Sequence, residues 1–126
     1  MIHLERKTYS QLGTITAPYV HAVKHKDTLY VSGLTAFGSA AQGGDVAQQA
    51  EEIFRQLKTI AAAENTTLSA LIKVTIFITE VESLPALREV LFANFADHLP
   101  ASSLVQVSAL FSPALNVEIE AILALD

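Results

Sequence analysis

In the closing segment of the chain, residues 116–125, every second residue is apolar. One side carries Val117, Ile119, Ala121, Leu123 and Leu125, and the other carries Glu118, Glu120, Ile122 and Ala124. A period of two places successive side chains on opposite faces of a β-strand. The segment is therefore predicted to be a sheet strand with one apolar face and one mixed face, and each face needs a surface to lie against.

Two segments with helical periodicity supply a partner for the apolar face. In residues 46–63 the apolar positions are Val46, Ala50, Ile53, Phe54, Leu57, Ile60 and Ala61. Asp45 is predicted to cap this helix together with Gln48, and Asn65 is predicted to end it in a left-handed turn. A second helix is predicted from residue 83, with Pro85 in its first turn. Its buried stripe is Leu84, Leu87, Leu91 and Phe95.

The remaining apolar runs predict further strands at residues 2–9, 20–24, 28–32, 73–79 and 103–110, and Gly33 is predicted to end the third of these. This order of elements gives an α+β fold, in which a sheet has both helices on one face. The opposite face is predicted to carry Glu118, Glu120, Tyr30, Thr75, Phe77, Leu104 or Val105, and Gln106. Because such a face is too apolar to leave to water, self-association is expected, most simply as a closed ring of identical copies.

Length and composition limit what else the chain can be. Its 126 residues, 51% hydrophobic and 17% charged, fit one compact domain that spans residues 1–126. The chain has no cysteine, so disulfides and thiolate metal sites are excluded and a cytoplasmic location is expected. No run approaches the roughly 20 apolar residues of a membrane helix. A net charge of −5 argues against a nucleic-acid partner, because such binding depends on Lys and Arg.

Three short patterns point to other chemistries and each lacks an essential part. Gly38 and Gly43 have the separation of a phosphate-binding loop, but no lysine follows the second glycine. His21 and His25 are separated like metal ligands, yet they lie in a predicted hairpin without a third ligand, so no metal site is expected. The serines are not set in a nucleophile-elbow pattern, so a serine hydrolase is not expected either.

The chain as a whole is similar to the RidA/YjgF family, whose older members were called L-PSP endoribonucleases. The resemblance is carried by residues 17–20, 22–23, 29–33, 45–50, 73–78, 100–101 and 117–122, which follow the order and nearly the spacing of the family. It implies a chorismate-mutase-like fold assembled as a homotrimeric barrel, with three small-molecule pockets in the clefts between subunits. It implies no metal and no cofactor.

The resemblance also implies which residues form the site. Glu118 matches a glutamate on the last strand that holds or activates the attacking water in the deaminase members. Tyr19 matches the pocket tyrosine, and Ser32 with Gly33 matches the strand end that lines the site. Leu104 is placed among the substrate-binding residues as well.

Ser102 is the main departure from the family pattern, because the deaminase members carry an arginine at this position that grips the substrate carboxylate. Each charge-assisted hydrogen bond of such a pair contributes roughly 1.5 to 3 kcal/mol. Losing two would weaken the binding of a small carboxylate by on the order of a hundredfold or more. Hydrolysis of 2-imino acids is therefore expected to be weak or absent.

Three classes of function remain open on the sequence. The first is a small-molecule binder that uses the intersubunit pocket. The second is an imine or enamine deaminase, which hydrolyses a different substrate or holds a carboxylate through Arg88 on the second helix, where many family members carry an asparagine. The third, an RNA nuclease, has the older family name behind it, but the acidic net charge does not favour it.

Overall fold

The computed structural model describes residues 1–126 and contains six strands and two α-helices. The strands are β1 (Glu5–Lys7), β2 (Ala22–His25), β3 (Thr28–Leu34), β4 (Leu71–Ile78), β5 (Ala101–Gln106) and β6 (Val117–Ala124), and the helices are α1 (Val46–Ala63) and α2 (Leu84–Phe95). The strands form one sheet in the order β1-β2-β3-β6-β4-β5. Neighbouring strands are antiparallel except β4 and β5, which are parallel, so the sheet is mixed.

Both helices pack on one face of this sheet and enclose the core with it. The buried residues of β4 and β6 are Leu71, Val74, Ile76, Ile78, Val117, Ile119, Ala121 and Leu123. They form one cluster with Ile53, Phe54, Leu57 and Ile60 of α1 and with Leu87, Val90 and Phe95 of α2. Phe54 and Phe95 join the two helices edge to face, with ring centroids 5.4 Å apart. The predicted α+β fold, with two helices on one face of a mixed sheet, is confirmed.

The ends of α1 agree with the prediction. Asp45 accepts a hydrogen bond from the backbone N of Gln48 at 2.9 Å, and the backbone N of Asp45 donates to Oε1 of Gln48 at 3.0 Å. Asn65 follows the helix with φ 61°, a left-handed conformation that asparagine tolerates. The reciprocal cap fixes where α1 starts.

Two predicted strands are too long, because their neighbours end first. The strand predicted over residues 2–9 is reduced to β1, since its partner β2 ends at His25, close to the point where Glu5 pairs with Lys24. The strand predicted over residues 103–110 ends at Gln106, which pairs with Ile78, the last residue of β4. A strand needs a neighbouring strand to receive its backbone hydrogen bonds. Beyond β5 the last such bond is from the Val107 N–H to the Ile78 carbonyl at 2.8 Å, and beyond β1 the Tyr9 N–H donates to the His21 ring instead.

The side assigned to some residues of β5 is also wrong. The register pairs Ile76 with Leu104 and Ile78 with Gln106, so Leu104 and Gln106 lie on the helix-covered face. Leu104 packs against the core there. Val105, which pairs with Phe77, is on the opposite face as predicted.

The face of the sheet away from the helices is partly open. We call it the open face; it carries Tyr30, Thr75, Phe77, Val105, Glu118 and Glu120. Tyr30 is 46% exposed and Val105 45% exposed. Neither helix combines the length and apolar character that a membrane crossing needs.

Candidate functional site

Gly33 lies inside β3 and does not end it, contrary to the prediction, and its lack of a side chain makes room for Glu118. The pairing of β3 with β6 shifts between Val31 and Leu34, on either side of this glycine. A Cβ on Gly33 would lie 2.9 Å from Cδ of Glu118 and closer still to its Oε2. The carboxyl group of Glu118 is therefore laid directly against the backbone of β3, a position that a side chain on residue 33 would obstruct.

The surroundings of Glu118 favour its protonated form. Burial raises the pKa of the Glu118 carboxyl above its usual value, and the negative charge of Glu120 raises that pKa further. No Lys, Arg or His side chain lies within ion-pair distance of Glu118. Because nothing in the chain compensates the charge, Glu118 keeps its proton to higher pH than a solvated glutamate does.

A cavity of about 270 Å³ lies beside Gly33, and we call it the strand-end cavity. Tyr19, Ser32 and Gly33, three of the predicted site residues, line it together with His21, Arg55 and Phe111. Ser32 is held firmly, because its Oγ donates to the Val20 carbonyl at 2.6 Å and its backbone N donates to the His21 carbonyl at 3.0 Å. Tyr19 is 55% exposed and stands at the rim.

Arg55 brings a cation to the strand-end cavity that the sequence reasoning missed. Its Nε and Nη2 donate to the two carboxylate oxygens of Glu52 at 2.8 and 2.7 Å. The Arg55 hydrogen bond lowers the pKa of the Glu52 carboxyl, so the pair stays charged. The signal in the sequence is the three-residue spacing of opposite charges on a helix. Because Arg55 already has a carboxylate partner, it is not a free anion-binding group.

A second cavity, of about 230 Å³, lies at the other end of the sheet between α2 and β5. We call it the helix cavity. Arg88 and Ser102 both line it, with Phe92, Leu99 and Pro100 around them. Ser102 reaches this side because it pairs with Val74, whose side chain is buried beneath the helices. The structure thus brings Ser102, which the sequence predicts to replace a family arginine, and Arg88 of α2 into one cavity.

Arg88 has no acidic partner. No carboxylate lies within 4.0 Å of it. The residues three and four positions away on the helix are Leu84, Pro85, Leu91 and Phe92, so the helix surface offers no carboxylate at the spacing that pairs charges. Its guanidinium is consequently available to an anion from outside the chain.

The predicted site residues fall into two groups that one chain does not unite. Tyr19, Ser32, Gly33 and Glu118 lie on or beside β3 and β6, whereas Arg88 and Ser102 line the helix cavity. From β3 to β5 there are three strand spacings, roughly 14 Å. Leu104 lines neither cavity and packs against the core.

Exposed apolar side chains stand at both cavities. Phe37 and Phe111 line the strand-end cavity and pack on each other with ring centroids 5.2 Å apart, and they are 57% and 68% exposed. Phe92 and Leu99 line the helix cavity and are 65% and 64% exposed. Clusters of this kind typically mark surfaces that meet another molecule.

Comparison with known proteins agrees with this architecture. The family described as Endoribonuclease L-PSP matches residues 11–125. The chain is 31% identical over 112 residues to the 2-iminobutanoate/2-iminopropanoate deaminase of Dermatophagoides farinae, with 86% of this chain and 87% of that protein aligned. It is 33% identical over 111 residues to a RutC family protein of Sinorhizobium fredii, with 86% and 87% aligned.

Solved structures give the same result. A Pseudomonas aeruginosa protein of unknown function superposes with a TM-score of 0.90 at 30% identity, covering 100% of this chain and 95% of that one. A Mycobacterium tuberculosis protein described as a member of the YjgF/YER057c/UK114 family gives 0.83 at 25% identity, covering 98% and 100%. With the match over residues 11–125, these likenesses show that the chain belongs to the RidA/YjgF family, also described as the Endoribonuclease L-PSP family.

Proposed function

We propose that the chain assembles as a homotrimer and that its active site forms in the clefts between copies, where the strand-end cavity of one copy meets the helix cavity of the next. The separation of the predicted site residues into two groups supports this arrangement, because each group is incomplete alone. The exposed apolar side chains beside both cavities support it as well, since contact between copies would cover them. A closed ring satisfies every copy equally.

The reaction we propose is the hydrolysis of a small imine or enamine that carries a carboxylate. Relatives named as 2-iminobutanoate/2-iminopropanoate deaminases support this class of reaction. Water adds its oxygen to the imine carbon, the carbon–nitrogen bond then breaks, and the products are the oxo compound and ammonia. In this scheme Glu118 takes a proton from the water and returns one to the departing nitrogen, and no cofactor is required.

The observation that carries the proposal is the position of Arg88. It lines the same cavity as Ser102 and has no carboxylate partner in the chain. The sequence predicts weak hydrolysis because Ser102 carries no charge, and it leaves open that Arg88 holds a carboxylate instead. We infer that Arg88 supplies the missing guanidinium from α2, so that a substrate carboxylate is held by Arg88 with Ser102 beside it.

Glu118 suits the proposed role through its raised pKa. A raised pKa makes the ionised Glu118 a stronger base towards the attacking water, and the proton that it takes up is the one returned to the departing nitrogen. Burial and the neighbouring Glu120 produce that shift.

The test is the removal of the Arg88 guanidinium. An amino-acid oxidase or dehydratase supplies the unstable imine or enamine, and the rate of oxo-acid formation is measured with and without this protein. For Arg88→Ala we expect kcat/KM to fall on the order of a hundredfold, the loss of two charge-assisted hydrogen bonds. Arg6→Ala removes an exposed arginine from β1 and is the matched control, with an expected change of less than about twofold.

Two outcomes would overturn the proposal. Equal turnover by Arg88→Ala and the unaltered protein would remove Arg88 from the site. Absence of turnover in the unaltered protein, over a panel of amino-acid precursors, would leave the second candidate, a binder without catalysis. That candidate is favoured by Ser102 at the arginine position, and it predicts thermal stabilisation by small carboxylates that Arg88→Ala abolishes.

A further inference from the structure

His21 is an unusual residue to find in the interior, since it is one of two polar side chains that are fully buried, with 5% exposure. It lies just before β2, and its carbonyl accepts the backbone N–H of Ser32 at 3.0 Å. Ser32 and Gly33 belong to the strand-end cavity, and His21 lines the same cavity. A buried polar group costs free energy unless its hydrogen-bonding atoms have partners, so both ring nitrogens need an account.

One ring nitrogen has a partner within the chain. Nδ1 of His21 accepts a hydrogen bond from the backbone N of Tyr9 at 2.9 Å. An accepting Nδ1 carries no proton, so the neutral ring carries its proton on Nε2. Burial lowers the pKa of His21, which favours the neutral ring.

Tyr9 is itself anchored, so the tautomer of His21 is fixed by more than one contact. The Tyr9 hydroxyl donates to Oε2 of Glu64 at 2.9 Å, and Nζ of Lys7 lies 3.4 Å from the same oxygen. The Tyr9 and His21 rings also pack against each other, with centroids 5.8 Å apart. A chain of contacts thus runs from the end of α1 through Tyr9 to the imidazole.

The other ring nitrogen has no partner in the chain. Nε2 of His21 makes no hydrogen bond to any other residue and lies near no carboxylate. No side-chain nitrogen or oxygen that is sealed from solvent lacks a partner in this protein. Nε2 must therefore reach an open surface, and the surface that His21 lines is the strand-end cavity.

The other walls of the cavity define what Nε2 can meet. Its charged groups, Glu52 and Arg55, are paired with each other. The other titratable residue that lines the cavity is Tyr19. Glu64 and Lys7 do not contact His21 and are linked to it only through Tyr9. The apolar walls are Leu12, Ile15, Leu34, Phe37 and Phe111. Gln11, Thr35, Ser39 and Gln56 complete the lining. The cavity therefore offers the uncharged Nε2–H of a buried histidine beside apolar and aromatic walls, with neutral polar side chains around them.

We propose that His21 is a ligand-binding residue whose Nε2–H donates a hydrogen bond to an oxygen or imine nitrogen of the molecule in the strand-end cavity. The ligand class that follows is a small molecule with an apolar or aromatic body and one hydrogen-bond-accepting group. This inference deepens the proposed function and rests on it for the identity of the site. It adds a donor on the strand side that is independent of the anion contact at Arg88.

The test uses two uncharged molecules of nearly equal shape, acetophenone and α-methylstyrene. Acetophenone has a carbonyl oxygen where α-methylstyrene has a methylene group. Each molecule is added to the purified protein, whose histidines are labelled with ¹⁵N. The ring nitrogens are followed by two-bond ¹H–¹⁵N correlation spectra. We expect the His21 Nε2 resonance to move with acetophenone and to stay in place with α-methylstyrene. His3, His25 and His98 are internal controls and should not respond.

Substitutions complete the test. His21→Phe should weaken acetophenone binding about three- to tenfold, the loss of one neutral hydrogen bond, whereas His21→Gln should retain more of the affinity. Arg6→Ala removes an exposed arginine from β1 and is the matched control, which should leave acetophenone binding unchanged. Because the binding of an uncharged probe is measured without turnover, this result separates the inference from the fate of the imine assay. If His21→Phe does not fold, the comparison of the two probes in the unaltered protein decides.

Three results would overturn the inference. They are an Nδ1-protonated His21 tautomer in the free protein, equal responses of His21 to the two probes, and no response of His21 to saturating acetophenone. Each of them is read from the unaltered protein and does not depend on turnover.

Discussion

The strand-end cavity and the helix cavity are built in contrasting ways. In the first, backbone and side chains are locked by short hydrogen bonds: Ser32 to Val20 at 2.6 Å, Tyr9 to His21 at 2.9 Å, and Arg55 to Glu52 at 2.7 Å. In the second, Arg88 and Ser102 make no hydrogen bond to another side chain, and Phe92 and Leu99 are largely exposed. The contrast teaches that one region is organised within the chain, whereas the other is left to be organised by a neighbour or a ligand.

The predicted resemblance to the family also differs between the strand-end cavity and the helix cavity. The sequence predicts that the strand-end region keeps the residues that the resemblance implies, at Tyr19, Ser32, Gly33 and Glu118. It predicts a departure from the family pattern at Ser102 and Arg88 in the helix region. A departure confined to the less constrained region is physically reasonable, because an exposed guanidinium on a helix can be relocated without repacking a core.

The largest effect that would sharpen this contrast is expected from Glu118→Gln. The amide keeps the shape of the side chain but neither accepts nor donates the proton, so kcat should fall on the order of 10²- to 10⁴-fold in the imine assay. Glu120→Gln, two residues along the same face of β6, is the matched control and should retain kcat within about threefold. A similar loss in both variants would mean that the charge of the open face, not the carboxyl of Glu118, supports turnover.

A smaller effect is expected from moving the guanidinium back to the strand. The double variant Arg88→Ala with Ser102→Arg should recover kcat/KM to within about tenfold of the unaltered protein, because both positions line the helix cavity. The single variant Arg88→Ala is the reference. Double and single variants with the same kcat/KM would show that a cation at residue 102 does not reach the substrate.

The smallest expected effect is on stability. It tests whether the Glu118 carboxyl is left without a cation in the folded protein. The pKa of Glu118 is raised in the folded chain by burial and by Glu120, so the folded state holds this proton more tightly than the unfolded state does. Its contribution to stability is full below the ordinary glutamate pKa and is lost as pH rises through the raised pKa. Glu118→Gln lacks this titration.

We expect the free energy of unfolding of Glu118→Gln, relative to that of the unaltered protein, to increase as pH rises. Urea unfolding at about pH 4 and about pH 8 measures it. If the relative free energy of unfolding of Glu118→Gln decreased as pH rises, the fold would be stabilising the charged carboxylate. That result would require a cation near Glu118 in the assembled protein.

Much of the fold follows from local patterns in the sequence. The period of α1, its Asp45 and Gln48 cap and the alternation of β6 are each encoded within a few residues, and the structure confirms them. Strand lengths were predicted less well, because β1 and β5 end where their partners end and not where their own apolar residues do. Pairing of this kind is a property of distant segments.

The site was predictable only in part, for the same reason. The resemblance to the family predicts Glu118, Ser32 and Gly33 as site residues, but the side to which Ser102 turns depends on its register with Val74. The sharing of a cavity by Arg88 and Ser102 depends on how α2 crosses the sheet. The sequence singles out His21 only for its spacing from His25, and its burial and its bond to Tyr9 could not be predicted because Tyr9 lies twelve positions away.

The placement of the two cavities at opposite flanks of one chain has a genetic consequence. If copies meet as proposed, a ring that mixes chains defective at Glu118 with chains defective at Arg88 still contains a cleft in which both groups are intact. Two inactive alleles expressed together would then complement each other. A chain that carried both lesions would instead spoil two neighbouring clefts at once and act in a partly dominant manner.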